Sequence, residues 1–180
     1  MVKRNYPGVI VIALSTALTI AALVRAGEAP PPSIQVEQKK LIIRQGEVGF
    51  EIDLAKTFHG YEINEGKLLF ASADAKARYL VTYVAGPSRS PVAALSFCGA
   101  GTEGYLLWSM FDQAWREQRR QAALIESCFE SAEGIYEING DRLTAEWVNY
   151  RLEKRFTLKY DARAPAQGFR IGESKIVSGK

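Results

Sequence analysis

The sequence predicts a mainly β protein, an antiparallel sandwich or barrel built from hairpins and meanders. Short segments alternate between apolar and polar residues, turn dipeptides separate them, and aromatic residues, 11% of the chain, occur along most of it. This combination is typical of antiparallel strands that bury one face. Residues 37–172 are long enough for one domain with a single core.

The clearest strands lie near the C terminus. Residues 135–138 alternate and are followed by Asn139-Gly140, the dipeptide preferred in type I′ hairpin turns. Residues 143–147 and 156–160 alternate again, with a second turn expected near Asn149-Tyr150. The sequence therefore predicts a three-stranded antiparallel meander here.

A similar pattern occurs earlier in the chain. The tetrapeptide Tyr-Glu-Ile-Asn occurs at 61–64 and again at 136–139, 75 positions later. Both copies precede strand-like segments, which suggests an internal duplication with copies at about 40–90 and 115–165, although four identical residues can also arise by chance. Further strands are predicted in this earlier part, at 40–44, 48–54, 67–70, 79–84 and 91–97.

Residues 105–121 are compatible with two structures. An aromatic and leucine-rich run at 105–111, a turn at 112–114 and a second strand reaching Ile125 predict a long hairpin. A helix is the alternative, because Leu107, Met110 and Ala114 would share one face and the Arg/Glu/Gln run has high helix propensity. The strand enrichment favours the hairpin.

The first 26 residues have the pattern of an export segment. Lys3 and Arg4 precede an uncharged apolar run at 9–24. Such a segment is typical of a signal peptide, here cut after Ala26; uncleaved, it would be an N-terminal membrane anchor helix with its basic end in the cytoplasm. Either alternative places the β domain outside the cytoplasm, in the periplasm or secreted.

Two segments flank the predicted domain. Residues 27–36 include three consecutive prolines and are predicted to form an extended spacer, because proline favours the polyproline II conformation. Residues 173–180 are predicted to be a flexible tail.

The charge of the chain gives no support for nucleic-acid binding. The chain has 23 basic and 20 acidic residues, a net charge of +3, and three of the basic residues lie before the expected cut. The remaining basic residues match the acidic ones in number. We therefore expect no nucleic acid among the partners.

The two cysteines, Cys98 and Cys128, are predicted to form a disulfide. An even number of cysteines in an oxidising compartment favours this bond. It would close a loop of about 30 residues and stabilise the fold by roughly 3 kcal/mol in the chain-entropy view.

No catalytic, cofactor or metal site is predicted. Residues 99–104 match G-x-G-x-x-G, the dinucleotide-binding pattern, but the flanking segments indicate antiparallel hairpins, so a glycine-rich turn explains them better. His59 is the only histidine, which argues against a histidine-based zinc site. Acidic residues around the cysteine loop are compatible with a two-carboxylate hydrolase, but their spacing selects no pair.

Together these features lead to one functional expectation and two alternatives. We expect an exported binding module that acts on another envelope protein, for example as an inhibitor or immunity-type protein. The alternatives are a carboxylate-dependent hydrolase of an envelope polymer and a structural or assembly component. The membrane would be contacted only through residues 1–26. The candidate interaction surface comprises Glu103, Asp112, Trp115, Arg116 and Glu126, which surround the cysteine loop.

Overall fold

A computed structural model describes residues 31–55, 57–58, 62–88 and 101–176. Within these residues the chain forms eleven strands and one 3₁₀ turn, Pro165–Gln167. The strands are β1 Ser33–Glu37, β2 Lys40–Gln45, β3 Val48–Asp53, β4 Glu65–Ala73, β5 Arg78–Pro87, β6 Thr102–Phe111, β7 Glu117–Ser127, β8 Ala132–Asn139, β9 Arg142–Asn149, β10 Lys154–Asp161 and β11 Arg170–Lys175. The predicted mainly β class is confirmed.

The strands form two antiparallel sheets. Strands β1–β3 make a small sheet, and β4–β11 make an eight-stranded sheet in which each strand pairs with its neighbour in sequence. This simple order arises because antiparallel neighbours need only short connections.

The large sheet is divided at one point. Strands β7 and β8 pair only through Ser127 and Ala132, whereas the other neighbouring strands pair over most of their length. The half made of β4–β7 can therefore face the half made of β8–β11. Their facing side chains form one core, in which Trp108 from the first half and Leu143 and Leu158 from the second are fully buried.

The small sheet covers the opposite face of β4–β7. Leu41 and Ile43 of β2 and Ile52 of β3 pack in a second core with Leu80 and Leu107. The domain thus has three β layers, and its middle layer is buried on both sides.

Burial on both faces explains the sequences of β5 and β6. Their central residues form near-continuous apolar runs, Tyr-Leu-Val-Thr-Tyr-Val and Tyr-Leu-Leu-Trp-Ser-Met-Phe, and most of these residues are buried. A strand with solvent on one face would alternate instead. The hairpin predicted for 105–121 is confirmed as β6 and β7, and the helical alternative is wrong because this apolar run fills two cores at once.

The predicted C-terminal meander is confirmed, but its first turn differs from the prediction. Asn139 pairs with Arg142, so the turn is centred on Gly140-Asp141. Gly140 has a φ of +57°, while Asp141 has no positive φ. Positive φ at only the first central residue is the pattern of a type II′ turn rather than the expected type I′.

The repeated tetrapeptide does not mark equivalent strands. Residues 136–139 lie inside β8, whereas 62–64 precede β4 outside any strand. The first predicted copy also spans both sheets, while the second lies in the large sheet alone. The proposed duplication therefore finds no support in the strand pairing.

The sheets begin earlier and end later than the sequence suggested. Strand β1 starts at Ser33, inside the predicted spacer, and β11 extends to Lys175, inside the predicted tail. The export or anchor helix, the strand predicted at 91–97, His59 and Cys98 lie outside the described residues. The described part contains no helix long and apolar enough to cross a membrane.

Gly134 is required where β8 approaches its neighbours. A Cβ atom at this position would lie 2.8 Å from the backbone oxygens of both Glu146 and Ile125. We expect Gly134→Ala to lower the unfolding free energy by about 1–3 kcal/mol, as overpacking does, measured by urea denaturation with tryptophan fluorescence.

Gly49→Ala is the matched control, because Gly49 also lies in a strand and its nearest atoms would be 3.9 and 4.0 Å from the added carbon. Equal unfolding midpoints for the two variants would contradict the close approach at Gly134.

Candidate functional site

The five candidate surface residues do not form one patch. Asp112, Trp115 and Arg116 lie in the β6–β7 turn, while Glu103 and Glu126 lie near the opposite end of the same hairpin. Eight strand residues lie between Glu103 and Asp112, so the two groups are roughly 30 Å apart. Each group must therefore be considered separately.

Asp112 organises the β6–β7 turn. Its carboxylate accepts hydrogen bonds from the backbone N–H groups of Ala114 and Arg116 at 2.9 Å, and from Arg116 Nε at 2.8 Å. These contacts, led by the backbone of Arg116, lower the pKa of Asp112. Trp115 adopts a φ of +61° within this turn, a conformation that non-glycine residues rarely adopt.

Trp115 joins the two sheets. Its ring stacks on Phe50 of β3 with centroids 3.9 Å apart and also contacts Phe111. The Arg78 guanidinium lies 4.8 Å from the Trp115 ring centroid and donates to Gln45 Oε1. The positive φ thus places the indole against the small sheet, which indicates a structural role.

Glu103 is also structural, since only 5% of it is exposed. One carboxylate oxygen accepts hydrogen bonds from Ser88 Oγ at 2.6 Å, Cys128 N at 3.1 Å and Phe129 N at 3.4 Å. A buried carboxylate needs such partners, and these ones fix the turn after β7. The expected place of Glu103 on an interaction surface stays a prediction.

The predicted Cys98–Cys128 disulfide stays a prediction, because Cys98 lies outside the described residues. The described part of the chain contains no free cysteine. Cys128 begins the turn between β7 and β8, at the one point where the two halves of the large sheet are paired.

Glu126 belongs to a second group, the tyrosine–carboxylate cluster, formed by Glu65, Tyr83, Glu126 and Tyr136. The rings of Tyr83 and Tyr136 contact each other across the two half-sheets, with centroids 5.4 Å apart. A Cβ at Gly104 would lie 3.0 Å from the Tyr83 hydroxyl and 3.2 Å from Glu126 Cβ, so this glycine makes room for both.

Acidic neighbours and burial shift the protonation of this cluster. Burial, then the nearby Glu103 and Glu65 carboxylates, raises the pKa of Glu126. Burial, together with Glu126 and Glu65, raises the pKa of Tyr83 to about 12. Glu126 and Tyr83 therefore keep their protons to higher pH than the same side chains fully in water. Among the described residues no group of three or more metal-ligating side chains occurs.

A third feature was not predicted from the sequence. The loop between β9 and β10, together with Ile176 after β11, presents the apolar side chains of Tyr150, Leu152 and Ile176; we name this the Tyr150 tip. Tyr150 is 56% exposed and Leu152 is 55% exposed. The turn near Asn149-Tyr150 was predicted, but its exposure depends on packing that the sequence does not show.

The Tyr150 tip has a fixed backbone. The buried Asn149 side chain accepts the N–H of Leu152 at 2.8 Å, and Tyr150 N donates to the Ser131 carbonyl at 2.9 Å. The N–H of Ile176 donates to Glu153 O at 2.9 Å. These bonds hold exposed apolar side chains in one arrangement.

The chain matches no protein-family model, no curated protein and no solved structure in the comparisons made with known proteins.

The raised pKa of Glu126 predicts a pH-dependent effect on stability. A carboxyl with a higher pKa in the folded state binds its proton more tightly when folded, so stability falls as pH rises through this interval. Glu126→Gln removes the ionisation. We expect the unfolding free energy of this variant, relative to the original protein, to be higher at pH 7 than at pH 3.

Urea denaturation at both pH values checks this expectation. Glu47→Gln is the control, because Glu47 lies exposed in the turn between β2 and β3, away from the cluster. If Glu126→Gln has the same relative stability at pH 3 and pH 7, the cluster does not disfavour the charged carboxylate.

Proposed function

We propose that this protein is an exported binding module of the cell envelope, which acts on another envelope protein as an inhibitor or immunity-type protein would. The observation that carries the proposal is the Tyr150 tip. Exposed large apolar side chains on a rigid loop are typical of binding surfaces, and tyrosine is enriched among the residues that dominate binding energy.

The fixed backbone of the tip favours binding for an entropic reason. A loop that is already ordered loses little conformational freedom when a partner binds, so more of the contact energy appears as affinity. The Arg151–Glu130 ion pair, 3.1 Å long, lies beside the apolar residues and provides the polar margin that protein interfaces usually have.

The predicted disulfide is close to this tip. Cys128 O accepts the N–H of Ser131, and the Ser131 carbonyl accepts the N–H of Tyr150. A bond from Cys98 to Cys128 would fix Cys128, the residue at which this series of hydrogen bonds begins. We therefore expect the oxidised protein to bind its partner more tightly than the reduced one.

Affinity capture from an envelope extract tests the proposal. The oxidised full protein serves as bait beside the variant Tyr150→Ala/Leu152→Ala. We expect one envelope protein to be retained by the original bait, and its dissociation constant to rise about 10–30-fold for the double variant, since removal of dominant interface side chains costs more than about 1 kcal/mol.

Val48→Ala is the matched control, because Val48 is 56% exposed but lies in the small sheet. Loss of binding in both variants, or in neither, would contradict the placement of the binding site at the Tyr150 tip.

Export is the second part of the proposal. A reporter that is active only outside the cytoplasm, fused after Ser33, should be active in the cell. A reporter that stays cytoplasmic would contradict the extracytoplasmic location.

A carboxylate-dependent hydrolase of an envelope polymer is the second candidate function. The negative charges of Glu65 and Glu126 both raise the pKa of Tyr83. The pKa of Glu126 is itself raised, as the pKa of a general acid needs to be. Purified protein should then release soluble fragments from envelope polymers, and Glu126→Gln should abolish the release. No release by the original protein would exclude this candidate.

A further inference from the structure

The outward face of β8–β11 separates its charges by strand. This face, the outer C-terminal face, comprises the side chains on the side opposite the core. Apart from Arg142 on β9 and Asp161 on β10, its acidic residues lie on β8 and β9, and its basic residues lie on β10 and β11. The acidic set is Glu133, Glu137 and Glu146, and the basic set is Arg155, Lys159 and Arg170.

Strand pairing aligns these residues in rows across the face. One row contains Glu137, Thr144, Lys159 and Arg170, and the next contains Ile135, Glu146, Thr157 and Gly172. Within the described residues none of the six charged side chains forms an ion pair. At the end of the face Arg142 and Arg163 both pair with Asp161, so these charges already have partners within one copy.

Separated charges of this kind are complementary to themselves. A twofold axis parallel to the strands, placed above the line between β9 and β10, sets β8 opposite β11 of a second copy and β9 opposite β10. The strand that carries Glu137 then faces the strand that carries Arg170 in both directions, as an isologous interface requires. In the row of Glu137, each Glu137 faces Arg170 of the second copy.

An exposed apolar residue on the β8 side of the face fits the same arrangement. Ile135 is 69% exposed, although it lies in the middle of β8. Its row ends at Gly172, where a Cβ would point toward Thr157 Oγ1, so Gly172 leaves a space on the outward side. The twofold operation places each Ile135 over this space in the second copy.

The size of the face matches a weak dimer. Four strands about 4.8 Å apart and about eight residues long cover roughly 500 Å² per copy. The pair would bury about 1,000 Å², the lower limit for a specific interface. Two sheets that pack face to face keep their strands within about 30° of each other, so the central rows remain aligned.

We propose that the outer C-terminal face is a homodimer interface, in which β8 and β9 of one copy pack on β11 and β10 of the other. This surface adjoins the Tyr150 tip, since Tyr150 Oη donates to Glu133 Oε2 at 3.5 Å, and the dimer presents two tips. The proposal does not depend on the binding function of the tip.

Sedimentation equilibrium of the full protein at low ionic strength tests the dimer. We expect Glu137→Lys and Arg170→Glu each to raise the dimer dissociation constant at least about 10-fold, because like charges then face each other at two symmetric positions. Glu47→Lys, the same change on the small sheet, should leave the constant unchanged.

Mixing the two variants gives the decisive result. In a heterodimer of Glu137→Lys with Arg170→Glu, both facing pairs are again opposite in charge, so an equimolar mixture should recover dimers that neither variant forms alone. A monomer at all accessible concentrations would overturn the proposal, and so would a dimer that is insensitive to both single changes. A mixture that stays monomeric would overturn the paired geometry.

Discussion

The fold depends on the burial of β5 and β6 on both faces. Their side chains enter two separate cores, one shared with β8–β10 and one shared with β1–β3. Neither outer layer contains such strands, so each outer layer depends on this middle layer for its buried face. The 0% exposure of Trp108 in the first core and of Val84 in the second shows how completely both faces of the middle layer are covered.

Polar contacts fix how the apolar layers are arranged relative to one another. Trp108 Nε1 donates to the Pro165 carbonyl at 3.0 Å, which fixes the 3₁₀ turn after β10 against the middle layer. Arg120 pairs with Glu117 through two nitrogens and also donates to the Asp53 carbonyl of β3, which ties the small sheet to β7. Such contacts select one arrangement of layers among those that apolar burial alone would allow.

Strand existence was predictable from the sequence, because alternation and turn dipeptides are local signals. The apolar run of β6 also indicated a buried strand. The position of the small sheet was not predictable, since it depends on contacts between residues distant in sequence. The burial of Glu103 was not predictable either, since it depends on hydrogen bonds from Ser88 and Cys128. Nor was the positive φ of Trp115, which arises in the turn that Asp112 organises. For the Tyr150 tip, the sequence predicted the turn but not the exposure of its apolar side chains.

Native-state hydrogen exchange tests most directly whether the fold depends on β5 and β6. Backbone amides of β5 and β6 should exchange most slowly, and only through global unfolding, because both faces of these strands are covered. Amides of β1 and β11, at the edges of their sheets, should exchange faster. If amides of β8–β10 were protected longer than those of β5 and β6, the middle layer would not be the part on which the fold depends.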